Sequence, residues 1–270
     1  MSDPPLPADI LDHVADHLHD KPETLKQCCL VSKSWIPRTR KHLFADIKLD
    51  ATRDLWSWKK TFPDPSTSPA RYAKTLSVGC PDAVRPVDAE EGGWITGFSR
   101  VEHLALGSYV HDCGYYQPAA PFVPFHGFSP VMKSLRMEIN GLPPSQIINL
   151  ICSFPFLEDL DVTIIHGISD KTGDYSKGDE MLATAQPLTP PMLTGTLELH
   201  LKRGAAEPFT RRLSSIPGGI HFRKLTLRCI YEADLSSTTA LVEGCSHTLE
   251  SLNITLDMRG ISSQHLRLYP

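Results

Sequence analysis

The sequence predicts an α+β chain in which a short N-terminal helical unit precedes an irregular α/β solenoid built on a parallel sheet. Three observations carry that prediction. Apolar residues between positions 6 and 44 recur with the period of amphipathic helices. From Ala73 onward one short phrase returns again and again: apolar, two residues, Leu, one residue, apolar. Finally, 23 prolines and 17 glycines are spread along the 270 residues, which breaks the chain into short elements joined by turns and excludes long helical bundles.

Composition narrows the function classes. A chain with 41% hydrophobic and 21% charged residues is ordinary for a globular protein, and no stretch approaches the roughly 18 apolar residues of a membrane helix. Met1-Ser2-Asp3-Pro4-Pro5 lacks the basic lead and apolar run of a secretory signal, so a soluble chain of the cytoplasm or nucleus is expected. Seven cysteines lie between Cys28 and Cys245, with only Cys28-Cys29 close together, so neither a disulfide framework nor a CxxC zinc pattern is present. A net charge of -4 argues against a duplex-binding surface, and neither nucleic acid nor membrane is expected as a partner.

In the helical unit, Ile10, Leu11, Val14 and Leu18 share one helical sector while Asp9, Asp12, His13 and Asp16 lie outside it. Pro7 suits the first turn, where its missing N–H would have had no partner. Asp20 with Glu23 reads as a capping box for a second helix carrying Leu25, Cys28, Cys29 and Leu30, with Pro22 in its first turn. Ser32 and Ser34 offer caps for a third helix from Trp35 to Leu43, where Pro37 is tolerated near the start. Three short helices in about forty residues bury too little surface to be firmly stable alone, so their remaining apolar face needs a cover.

Leu6-Pro7, then Asp9, Ile10-Leu11, Val14, Leu18 and Leu25, and finally Leu30-Val31-Ser32-Lys33 with Trp35, resemble an F-box over residues 6 to 44. Asp9 departs from the Glu more usual in that family. The resemblance implies a three-helix module, here residues 1 to 48, that docks on a Skp-type adaptor and through it on a cullin-RING ubiquitin ligase. By the same resemblance the adaptor-facing positions are Leu6, Pro7, Ile10, Leu11, Leu30, Val31 and Trp35. The other reading is that these side chains form the core of a helical cap on the domain that follows.

The recurring phrase appears as Ala73-x-x-Leu76-x-Val78, Val101-x-x-Leu104-x-Leu106, Met132-x-x-Leu135-x-Met137, Leu157-x-x-Leu160-x-Val162, Phe222-x-x-Leu225-x-Leu227 and Leu249-x-x-Leu252-x-Ile254. A further copy runs from Leu193 through Leu197 to Leu199 with one extra residue. The central leucines are 28, 31, 25, 37, 28 and 27 residues apart, close to the period of about 20–29 residues in leucine-rich repeats with two longer insertions. Residues 71 to 270 thus resemble a divergent leucine-rich-repeat array, although only Asn140 stands where the asparagine of that family belongs. An α/β domain with leucine-rich strands is the alternative. Ser145 to Phe154 and Thr238 to Cys245 are the helical coverings expected between strands. Residues 49 to 70 read as a joining helix around Leu55, Trp56 and Trp58, followed by a Pro/Ser-rich linker from Thr61 to Ala70.

Alternation along each strand points the repeated leucines inward and leaves the residues one and three further on along the outer wall. Those are Ser77 and Gly79, Ala105 and Gly107, Arg136 and Glu138, Asp161 and Thr163, Glu198 and His200, Thr226 and Arg228, Asn253 and Thr255. The mixed charges suit a protein substrate better than a phosphate polymer. Candidate substrate-binding residues are Arg136, Glu138, Asp161, Glu198, His200 and Arg228, joined by Tyr115 and Tyr116 from the aromatic, proline-rich segment 113 to 130.

Catalysis is not expected, and neither is a cofactor or metal. His13 and His17 have zinc-compatible i,i+4 spacing but lack a third ligand. There is no P-loop, GxSxG or GxGxxG. The function expected is substrate recognition for a Skp/cullin/RING ubiquitin ligase. The alternative is a leucine-rich-repeat interaction module without a ligase role.

Overall fold

The computed structural model describes residues 7–50, 52–79, 93–107, 125–140, 144–166, 191–201, 207–230 and 234–256. Pro7, at φ -53°, leads directly into α1 (Ala8–His17). Helix α2 (Pro22–Val31) starts one residue later than a capping box would require. Lys21 is its N-cap, no side chain caps it, and Glu23 pairs with Lys26 at 2.6 Å. With Pro22 in the first helical position, Asp20 falls outside the cap and Glu23 is one place short of the third helical position, from which it would reach back. Ser32 instead caps a 3-10 turn (Lys33–Trp35) by accepting from the Ser34 N–H, and α3 (Ile36–Leu43) follows with Pro37 in its first turn.

The interior of this unit is small: Leu11, Ala15, Leu25 and Thr39 are buried. Polar contacts complete it. The Thr39 hydroxyl donates to the Trp35 carbonyl at 2.7 Å and lies 2.8 Å from Cys29 Sγ, tying α2 to α3. Asp16 accepts from Arg38 Nε at 2.6 Å, from a second Arg38 nitrogen, and from His42 Nε2 at 2.6 Å, tying α1 to α3. These hydrogen bonds, Arg38 first and His42 second, hold the Asp16 carboxyl well below the usual carboxylate range.

The rest is an α+β arrangement on an open sheet of eight parallel strands in chain order: β1 (Asp46–Leu49), β2 (Thr75–Val78), β3 (His103–Leu106), β4 (Ser134–Asn140), β5 (Asp159–His166), β6 (Thr196–Leu201), β7 (Lys224–Ile230) and β8 (Ser251–Leu256). Parallel neighbours require crossovers. Among the described residues these contain α4 (Thr52–Thr61), α5 (Gly93–Thr96), α6 (Pro144–Cys152), α7 (Glu207–Ser214) and α8 (Leu235–Gly244). Helix α7 has no counterpart in the sequence reading, because Phe209 and Leu213 are its only large apolar residues; both are fully buried.

The register places one leucine per strand in a continuous inward row, Leu76, Leu104, Leu135, Leu160, Leu197, Leu225 and Leu252, with Ile47 at its head. A second row runs from Leu49 through Val78, Leu106, Met137, Val162, Leu199 and Leu227 to Ile254. From β1 to β7 these side chains are buried; Leu252, Ile254 and Leu256 of β8 are exposed. Gly79 and Gly107 end β2 and β3 where backbones meet closely. A Cβ at Gly79 would stand 2.4 Å from the Asp50 carbonyl oxygen, and one at Gly107 2.6 Å from that of Gly79.

Two expectations about organisation change. The sheet starts at Asp46, inside the stretch assigned to the helical unit, and the Ala45 carbonyl already accepts from the N–H groups of Lys74 and Thr75. The Pro/Ser-rich stretch is also no open linker. Asp64 accepts from the backbone and hydroxyl of Ser66, Ser68 caps a 3-10 turn (Pro69–Tyr72), and Ser68, Pro69 and Ala70 are buried. Phe44 packs edge-on to Trp58 and Phe62, and Trp58 continues to Phe98, so aromatic contacts link the end of α3 to the sheet core. The Lys59 ammonium lies over the rings of Trp56 at 5.1 Å and Trp94 at 5.9 Å.

Candidate functional site

The helical unit keeps large apolar side chains on its outside. Leu30 is 81% exposed, Val31 77% and Ile10 46%; Val14 and Pro7 are exposed too, and Trp35 is half-buried. The turn bearing Trp35 packs on both α1 and α2, so these positions belong to elements that meet at that turn. Leu11 is the exception among the expected adaptor-facing positions. It follows Ile10 by one residue, hence about 100° around the helix, and points at the unit's own interior, where 6% of it is exposed. Leu6 lies outside the described residues.

The outer face of the sheet assembles the second surface. Register aligns Ser77, Ala105, Arg136, Asp161, Glu198, Thr226 and Asn253 in one row across β2 to β8. Two residues further along, Glu138, Thr163, His200, Arg228 and Thr255 form a second row across β4 to β8. Between these rows lies a polar depression of about 100 Å³. Of the residues singled out in the sequence, Arg136, Asp161, Glu198, His200 and Arg228 all line it, together with Thr163 and Thr226. Glu138 lies in the second row but not in the lining. Tyr115 and Tyr116 fall outside the described residues. Two aromatics of the same segment turn inward: Phe125 is buried, edge-on to Phe128, which in turn stands edge-on to Phe154.

Charge in the depression is unevenly paired. Arg136 Nε lies 3.2 Å from Asp161 Oδ2. Even so the Asp161 carboxyl is pushed up from its ordinary value, because burial disfavours its charge more than Arg136 favours it, and Glu198 adds to the rise. His200 Nε2 is 3.7 Å from Cys229 Sγ. Cys229 has φ +59° at the register shift between Arg228 and Ile230, a local irregularity that gives the paired, buried position to Ile230 instead of Cys229. No sequence signal marks that bulge, and the pairing with His200 is absent from the sequence reading.

The two surfaces offer recognition chemistry. Arg136 and Arg228 supply forked donors, Asp161 and Glu198 acceptors, and the threonines both. Buried Cys152 is pushed up to about 11 and Cys245 is also raised, each by burial, which keeps these thiols protonated and inert. The rings of His13 and His17 stand 4.6 Å apart, and among the described residues no group of three metal-ligating side chains assembles. No described helix is long and apolar enough to cross a membrane. No known family model matches this sequence, and no characterised protein is significantly similar to it.

Proposed function

We propose that the chain is a substrate-recognition adaptor: an F-box-type helical unit recruits a Skp-type adaptor with its cullin-RING ligase, and a leucine-rich-repeat-type array captures a protein substrate. One observation carries the recruiting half. Leu30, Val31 and Ile10 stay exposed on a unit whose interior is already filled by Leu11, Ala15, Leu25 and Thr39. Exposed apolar groups of this size on rigid helices supply the anchors that a protein interface needs. The capturing half is supported by eight parallel strands in chain order with a charged, unevenly paired outer face. Ubiquitin chemistry is left to the ligase enzymes. Substrate and ligase are held on one frame, which raises their effective concentration.

A second reading has its own support. Phe44 and β1 join the helical unit to the first edge of the sheet, as an N-terminal cap would be joined. In that case the chain is an interaction module without a ligase role. Co-expression with a Skp-type adaptor, followed by size-exclusion chromatography, separates the two. A stoichiometric complex with the intact chain supports recruitment. Separate elution of the two proteins supports the cap.

A further inference from the structure

We infer that the outer-face depression docks an extended peptide carrying a basic residue and, two positions along, an acidic one. The inference rests on reading this face as a capture surface and names what it captures.

The register makes Asp161 and Glu198 direct neighbours on β5 and β6, which brings their Cβ atoms to about 5 Å. Like charges so placed oppose each other. Arg136 compensates Asp161 at 3.2 Å, whereas among the described residues Glu198 forms no ion pair or hydrogen bond. Arg228 likewise has no ion pair among the described residues. It stands on β7 two residues beyond Thr226, and Thr226 is the register partner of Glu198. The open anion and the open cation are therefore diagonal neighbours, with backbones about 7–8 Å apart. An extended peptide repeats one face every second residue, at about 6.6 Å. A basic side chain seated against Glu198 and Asp161 places the residue two positions away over Arg228. Thr163, Thr226 and His200 offer hydrogen bonds to groups between them.

Other ligand classes fit less well. A phosphate chain would meet Asp161 and Glu198, an apolar group would leave a polar lining without partners, and about 100 Å³ holds a side-chain head group rather than a whole metabolite. A basic group alone would leave Arg228 facing only the Asp161 charge, which Arg136 already pairs.

The test uses the full chain and fluorescently labelled nonapeptides of glycine and serine with Lys-Ser-Glu at the centre, followed by anisotropy. The expected result is saturable binding that falls about tenfold when either charged peptide residue becomes Gln, one such step in affinity being a typical charge-assisted contact. Glu198→Gln should weaken the Lys-Ser-Glu peptide and leave the Gln-Ser-Glu peptide unchanged. Arg228→Glu should weaken Lys-Ser-Glu and transfer the preference to Lys-Ser-Lys. Equal binding of all peptides, absence of saturation, or variants without these preferences would overturn the inference, given unchanged circular dichroism. Co-elution with a Skp-type adaptor reads only the helical unit, so failure of recruitment and failure of this docking site give different patterns.

Discussion

The helical unit and the sheet treat their apolar residues in opposite ways. From β1 to β7 each inward position of the two aligned rows is buried, and helices close over them. In the helical unit a comparable set of large apolar residues, Ile10, Val14, Leu30 and Val31, stays on the surface. The sheet forms its interior by repetition, each strand covering the next. The helical unit reaches a small interior and is then held by polar ties, Asp16 to Arg38 and His42, and Thr39 to the Trp35 carbonyl and Cys29. Apolar residues are thus structural from β1 to β7 and available on the helical unit, as they also are on the last described strand, β8.

The largest expected difference is in stability. Phe222→Ala, at a fully buried position beside β7, should cost about 3–5 kcal/mol by urea unfolding. The double substitution Leu30→Asp and Val31→Asp should change stability by less than about 0.5 kcal/mol per site, as exposed positions do. A large loss from that pair would show that Leu30 and Val31 hold the helical unit together. The same double variant should weaken Skp-type adaptor binding at least about tenfold in calorimetric titration, since anchors near an interface centre dominate its energy.

Smaller effects are expected at the polar groups of the two regions. Asp161 has a raised carboxyl, so its ionised form is disfavoured in the fold, and stability declines as pH rises through the folded value. Asp161→Asn should therefore match or modestly exceed the wild-type melting temperature at pH 7, and the difference should vanish in acid. Asp16 has the opposite sign. Its folded value lies below the ordinary 3.8, so the stability it confers is complete above that pH and is lost as pH falls through the lower folded value. Asp16→Asn should remove this acid-side decline from the helical signal, measured by circular dichroism between about pH 5 and pH 2.

What was legible in the sequence follows the same division. Strand alternation has period two and repeats many times, so Leu104, Leu135 and Leu160 identify their row and place Arg136, Asp161, Glu198, His200 and Arg228 on the opposite face without knowledge of any contact. Single local geometries have no such redundancy. Leu11 shares an apolar sector with Ile10 yet turns inward, because in a unit this small one helical step of about 100° separates interior from surface. The expected Asp20 cap was displaced by one residue at Pro22. Residues 61 to 70 have linker composition, yet the stretch ends in three buried residues, 68 to 70, because Ser68 and Asp64 satisfy the local backbone. The bulge at Cys229 depends on tertiary pairing alone.

The exposed side of the helical unit is proposed to be reserved for an outside subunit. Hydrogen exchange of the full chain with and without a purified Skp-type adaptor tests it most directly. Exchange should slow at the end of α2 and through the Lys33–Trp35 turn, with strands β4 to β7 unchanged. Unaltered exchange throughout, or protection centred on the sheet, would contradict it.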